Sequence, residues 1–188
     1  LLSRRQRQMC IRDRACTEYQ IPVFMDYKKS ILLNAFVEYV RSVLSMVEQD
    51  FSYESVFRFL RTGFTEFTRD EIDRLENYVV AVGLRGYKKW QAVWARKTSS
   101  ADEEELAVLN GLRVRFVEMT ESLVFVLKQR KKTVRDICEA VYRFFVENQI
   151  QEKLKVMENC FAEKKELALA KEYAQIYRIV LELFDKFA

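Results

Sequence analysis

The chain has 188 residues, 49% of them hydrophobic, which is enough for one domain with a sizeable core. One proline and four glycines argue against a turn-rich architecture and for long helices. Histidine is absent, which excludes a histidine base, metal ligand or triad. No uninterrupted apolar run approaches the length that spans a bilayer.

The net charge of +4 is local. Arg4, Arg5, Arg7, Arg12 and Arg14 stand against Asp13 in the first fourteen residues. Removing them from the 32 basic and 28 acidic groups leaves 27 of each. Any argument for nucleic acid must therefore rest on patches elsewhere, not on overall basicity.

The run RQMCIRDR over Arg7 to Arg14 reads as translated sequencing-adaptor sequence. Residues 1–15 are accordingly expected to be non-native or disordered; the alternative is a genuine basic arm. Next, Tyr19 to Asp26 is a short apolar run, YQIPVFMD. Pro22 near its start suits the first residues of a strand. A lone strand is not stable in water, so partners for it are expected in a longer parent chain.

Helices account for everything after this. Asn34 caps one whose buried face is Phe36, Val37, Val40, Leu44 and Val47. Ser52 caps a second over Tyr53 to Thr62, with Gly63 as its stop. Thr68 and Glu71 form a capping box for a third, with Ile72, Leu75, Tyr78, Val79 and Val82 on one face and Gly83 ending it. A basic, aromatic loop follows: Arg85, Gly86, Tyr87, Lys88, Lys89 and Trp90. It is either a solvated turn with Trp90 packed back on the helices, or a site of phosphate contact with Trp90 as a stacking ring. The polar connector Trp94 to Ser100 is the best candidate hinge.

Ser100 with Glu103 reads as a second capping box, opening a long helix striped by Leu109, Leu112, Phe116, Met119, Leu123 and Leu127. KQRKK over Lys128 to Lys132 ends it. Cations there complement the helix dipole, and Lys128, Arg130, Lys131 and Lys132 also make a second candidate phosphate patch. Thr133 caps a helix burying Ile137, Val141, Phe144 and Phe145. Another covers Ile150 to Phe161, with Leu154 and Met157. The last runs from about Glu166 and reaches Ala188 without a stop signal, as a truncated reading frame would.

Cys10, Cys16, Cys138 and Cys160 lack the close spacing of a zinc or redox motif and suit a reducing compartment. No glycine-rich phosphate cradle occurs. The carboxylates Asp102 to Glu105 are consecutive and diverge around a helix start, so they do not make a converging metal set. No catalytic residue and no metal ligand emerges.

Two segments carry a resemblance. YQIPVFMDYKKSILLNAFVEYVRSVLSMV and IDRLENYVVAVGLRGYKKW resemble the B subunit of the AddAB helicase-nuclease family, called RexB in some bacteria. The likeness covers roughly Glu18 to Ala188 and corresponds to a minor internal part of a much longer subunit. It implies a mainly α fold: a multi-helix domain inserted in a superfamily 1 helicase-like core, preceded by one short β-strand of a truncated RecA-like core. The implied divisions are 16–49 for the end of the second RecA-like core and 50–188 for the inserted helical domain. Many family members have proline where Ala35 stands.

The resemblance further implies a cytoplasmic heterodimer with an AddA-type helicase-nuclease subunit, acting on double-stranded DNA ends and separated strands for recombinational repair. ATP, Mg2+ and a 4Fe-4S cluster would belong to the parent assembly and none to this segment. Its role would be architectural, with phosphate contacts that carry little sequence information. The rival reading is a helical protein-interaction module without a nucleic-acid role.

Overall fold

In the computed structural model the described residues are 15, 16, 18, 19, 30–98 and 102–187. Two compact units divide the chain, Leu1–Ser30 and Ile31–Ala188. In the first, the Tyr19 N–H donates to the Ala15 carbonyl at 2.9 Å, one helical turn. The strand expected over 19–26 lies, Tyr19 apart, outside the described residues, as do residues 1–14.

The second unit is helical. A 3-10 turn, Ile31–Leu33, leads into α1 (Ala35–Glu48), α2 (Tyr53–Leu60), α3 (Arg69–Val82), α4 (Tyr87–Gln91), α5 (Glu103–Leu127), α6 (Val134–Glu147), α7 (Ile150–Glu163) and α8 (Leu167–Phe187). No extended strand occurs among the described residues. The expected multi-helix architecture is thus present. Helix α1, which the resemblance groups with residues 16–49, packs in the same core as the helices after it.

Local chemistry starts and stops these helices. The side chains of Asn34, Ser52, Thr68 and Thr133 each accept from a backbone N–H of the following turn. Thr68 with Glu71 and Thr133 with Asp136 make reciprocal capping boxes, each satisfying two otherwise orphaned donors. Gly83 ends α3 at φ 69°, in the left-handed region that a side chain disfavours. Helix α5 differs from expectation. Its cap is Asp102, which accepts from the Glu105 N–H at 2.9 Å, and Ser100 lies outside the described residues.

Two aromatic nodes build the core. In one, Phe36 and Tyr39 of α1 meet Phe59 of α2, Phe64, and Phe144 and Phe145 of α6, with Tyr39–Phe59 and Phe36–Phe145 centroids both 5.2 Å apart. Tyr177 of α8 closes on Phe36 at 6.0 Å. In the other, Phe51 meets Tyr87 of α4 at 4.6 Å and Phe116 of α5 at 6.0 Å, while Tyr78 of α3 stacks on Trp94 at 5.0 Å. Each such ring buried contributes about 1.5–3 kcal/mol relative to exposure. Helices α7 and α8 form a hairpin through a three-residue turn in which Lys165 has φ 61°.

The connector after α4 is held at its start. Trp94 is buried; its backbone N–H donates to Asn110 Oδ1 at 2.9 Å and its indole N–H to the Lys89 carbonyl at 3.0 Å. The hinge expected from Trp94 onward is therefore fastened to α5 at its first residue.

Candidate nucleic-acid interface

The basic stretch Arg85 to Trp90 is not a loop throughout. Gly86 takes φ 87° and ψ 143°, a backbone state nearly reserved for glycine, and α4 begins at the next residue. The reason lies across space. No side chain of its own caps α4; the Asp50 carboxylate accepts from the Tyr87 N–H instead. Asp50 reaches that position because α1 ends in two left-handed residues, Asp50 at φ 45° and Phe51 at φ 57°. The bend drives Phe51 fully into the core and leaves Asp50 over the start of α4.

Asp50 also joins the two basic stretches. Lys128 Nζ, at the end of α5, donates to Asp50 Oδ1 at 2.6 Å and lies over the Tyr87 ring at 4.8 Å and the Phe51 ring at 5.8 Å. The Lys128 hydrogen bond, helped by the Tyr87 N–H and the Lys88 charge, holds the Asp50 carboxyl below its ordinary range. Patches far apart in sequence, around residues 85–89 and 128–132, therefore share one anchor.

The eight candidate residues sort into three kinds. Arg85, Lys88, Lys89, Arg130 and Lys131 are exposed. Lys128 is paired with Asp50, and Lys132 Nζ donates to the Gln129 carbonyl at 2.9 Å, which folds it back on its own turn. Trp90 needs correction. It is 1% exposed, with its ring 4.6 Å from Phe116 and 5.2 Å from Trp94. Both faces of the indole are occupied by the core, so Trp90 offers no platform for a base. Of the readings open for this ring, packing back on the helices is the one observed.

Residues that sequence reasoning passed over hold α4 in place. Arg113 of α5 is 6% exposed. Its Nη1 donates to the carbonyls of Trp90 at 2.9 Å and Gln91 at 3.2 Å, and its Nε to Asn110 Oδ1 at 3.1 Å. A guanidinium thus satisfies the carbonyl end of α4, where the helix dipole is negative. Asn110 Nδ2 in turn donates to the Trp94 and Leu106 carbonyls, both at 2.9 Å. Asp50 at one end and Arg113 at the other fix a helix too short to hold itself.

Other chemistry is sparse. Cys138 on α6 is half-buried, which pushes its thiol up, and Cys160 on α7 is exposed. Among the described residues no group of three or more His, Cys, Asp or Glu side chains is placed to hold a metal ion. Iron–sulfur clusters require converging cysteine ligands, and these two do not supply such a set. No described helix is long and apolar enough to cross a membrane.

The described unit is therefore a helical scaffold that displays cations on a short helix and an adjoining turn. No protein-family model matches the chain. It is 42% identical over 169 residues to the B subunit of the ATP-dependent helicase/deoxyribonuclease of Lachnoclostridium phytofermentans, covering 88% of this chain and 15% of that protein. The same-named protein of Clostridium novyi is 38% identical over 169 residues, with 90% and 14% covered. That of Alkaliphilus metalliredigens is 33% identical over 189 residues, with 92% and 16% covered. Over this stretch the chain belongs to the family of ATP-dependent helicase/deoxyribonuclease B subunits. It spans about 15% of the length of the curated relatives it matches.

Proposed function

We propose that this segment is an architectural, DNA-contacting part of a B-type subunit in a heterodimeric ATP-dependent helicase-exonuclease that processes double-stranded DNA ends. Its helices correspond to the domain inserted in a superfamily 1 helicase-like core. Bond cleavage and nucleotide hydrolysis take place elsewhere in the assembly. ATP, Mg2+ and an iron–sulfur cluster bind there too, and an AddA-type subunit is the protein partner, in the cytoplasm.

The observation that carries this reading is the convergence of Arg85, Lys88 and Lys89 with the turn of Arg130 and Lys131 around the Asp50–Lys128 anchor. Exposed cations on a rigid frame attract phosphates without reading bases. Asp50 neutralises Lys128, so the exposed cations, not Lys128, supply the field.

The test is Arg85→Ala, Lys88→Ala and Lys89→Ala together in the full heterodimer. DNA-end affinity at low salt should fall. The slope of log affinity against log salt should drop by about 0.9 for each duplex phosphate that is no longer neutralised. Unchanged affinity with an unchanged slope overturns the assignment. A second reading, a protein-docking module, is favoured by one observation: Tyr142 and Val146 of α6 and Leu183 and Phe187 of α8 are exposed apolar residues. Loss of heterodimer assembly on replacing Tyr142 and Val146 by Ser, with DNA affinity of the isolated B-type protein intact, would assign that face to protein.

A further inference from the structure

With Trp90 committed to the core, the aromatic platform of the basic face is open to reassignment. Phe125, in the last turn of α5, is 70% exposed. A single exposed apolar side chain is ordinary on a protein surface and by itself calls for no ligand. Its surroundings set it apart. Phe125 borders a recess of about 360 Å³ together with Tyr87 and Gln91 of α4, and Glu121, Lys128 and Gln129. The volume falls in the range of small-molecule sites. Just beyond Lys128 stand the exposed Arg130 and Lys131, and Lys88 and Lys89 open from the same short helix as Tyr87.

The charges around the recess are arranged unevenly. Lys128 is occupied by Asp50. Glu121 places a carboxylate on the wall, which repels a phosphate inside but accepts from an exocyclic amino group. Gln91 and Gln129 add amides that both donate and accept. Phosphates are therefore favoured at the rim, on Lys88, Lys89, Arg130 and Lys131, and a base edge is favoured within. A duplex keeps its bases stacked and cannot present one there. A single strand can, and aromatic stacking is tolerant of base identity.

We propose that Phe125 is the ring on which this segment stacks an unpaired base of a DNA strand, in the recess between α4 and the end of α5. The proposal rests on the DNA-contacting reading above and narrows it to single-stranded substrate.

The experiment uses the full B-type protein in its heterodimer, with two probes: a fluorescein-labelled single-stranded oligonucleotide and a blunt hairpin duplex. Phe125→Ala should weaken single-strand binding about tenfold, the scale of one lost base stack, with the salt slope unchanged. Phe125→Trp should restore it, and the blunt hairpin should bind all three proteins alike. A strand carrying 5-iododeoxyuridine should photocrosslink to the peptide that contains Phe125. Three results would overturn the stack. These are wild-type single-strand affinity in Phe125→Ala, equal losses on both probes, or dissociation of the heterodimer, the last of which makes Phe125 a protein contact. If the Arg85, Lys88 and Lys89 triple variant lowers the salt slope while Phe125→Ala is silent, only the stack falls. If both are silent, the wider DNA reading falls with it.

Discussion

Arg113 is the most consequential side chain that lies outside the basic patches. Arg113→Met keeps the length and apolar body of the side chain and deletes the guanidinium. Three hydrogen bonds go, but their costs differ. Gln91 is an exposed residue, so its carbonyl can be rehydrated. Asn110 Oδ1 keeps the Trp94 N–H at 2.9 Å. The Trp90 carbonyl, at 2.9 Å from Nη1, is buried and left bare. One charge-assisted bond contributes about 1.5–3 kcal/mol, and an orphaned buried acceptor costs about 1–3 kcal/mol. Relief of the buried charge and the burial of an apolar methionine offset part of this. The net expectation is a loss of about 2–4 kcal/mol. Urea unfolding of the 188-residue chain, followed by tryptophan emission, measures it at the site. The two tryptophans are Trp90 and Trp94, and both sit in the cluster that Arg113 holds. Arg115→Met is the control. Arg115 is exposed and pairs with Glu71 at 2.7 Å, so its removal should cost less than about 1 kcal/mol. Equal losses in the two variants, or an Arg113→Met midpoint matching wild type, would refute the argument that a buried guanidinium anchors α4.

Gly86→Ala should lower stability by about 1–3 kcal/mol, since φ 87° with ψ 143° strains any residue with a side chain, and the added Cβ would sit 3.1 Å from Asp50 Oδ2. The same urea titration reads it, and an unshifted midpoint would mean that the start of α4 tolerates another backbone shape. Tyr39→Phe should leave stability unchanged or raise it by about 1 kcal/mol. The hydroxyl is fully buried without a hydrogen-bond partner, and the ring contacts to Phe59, Phe64 and Phe144 survive the change. Calorimetry showing a clearly lower melting temperature would mean that the hydroxyl has an acceptor in solution.

Much of the fold could be read from residues close in sequence, because helix ends are chemistry over three or four positions. Thr68 with Glu71, Gly83, Ser52 and Thr133 all act where the spacing puts them. The buried face of α1 was only half visible. Phe36, Val40 and Val47 are buried as the stripe requires, but so are Tyr39, Val43 and Met46, which lie off it. A single stripe describes a helix that packs on one side; α1 meets α2, α6 and α8, so its buried arc is wider. Helix α4 was hidden for a different reason. Five residues are too few to show a period, and the cap is supplied by Asp50, 37 positions upstream of Tyr87.

The same distinction explains why the basic patches were legible and their working parts were not. A run of cations in sequence says which groups carry charge. Which of them remain available depends on partners from other elements, and neither Asp50 beneath Lys128 nor Phe116 against Trp90 is written near its target. Arg113 and Phe125 did leave a signal, in phase rather than in proximity. Arg113 follows Leu112 and stands one turn beyond Leu109, so a charge falls within the apolar stripe, where it must be satisfied internally. Phe125 stands two residues beyond Leu123, about 200° around the helix from it, so an aromatic falls on the solvent side of a helix already filled by Leu109, Leu112, Phe116 and Leu123. A residue that breaks the pattern inward must be a brace, and one that breaks it outward has no packing role to explain it. On this face the inward exception holds the cations still, and the outward exception stands beside them at the edge of a recess. Fixed charge next to an unspent aromatic ring is the combination that single-stranded nucleic acid requires.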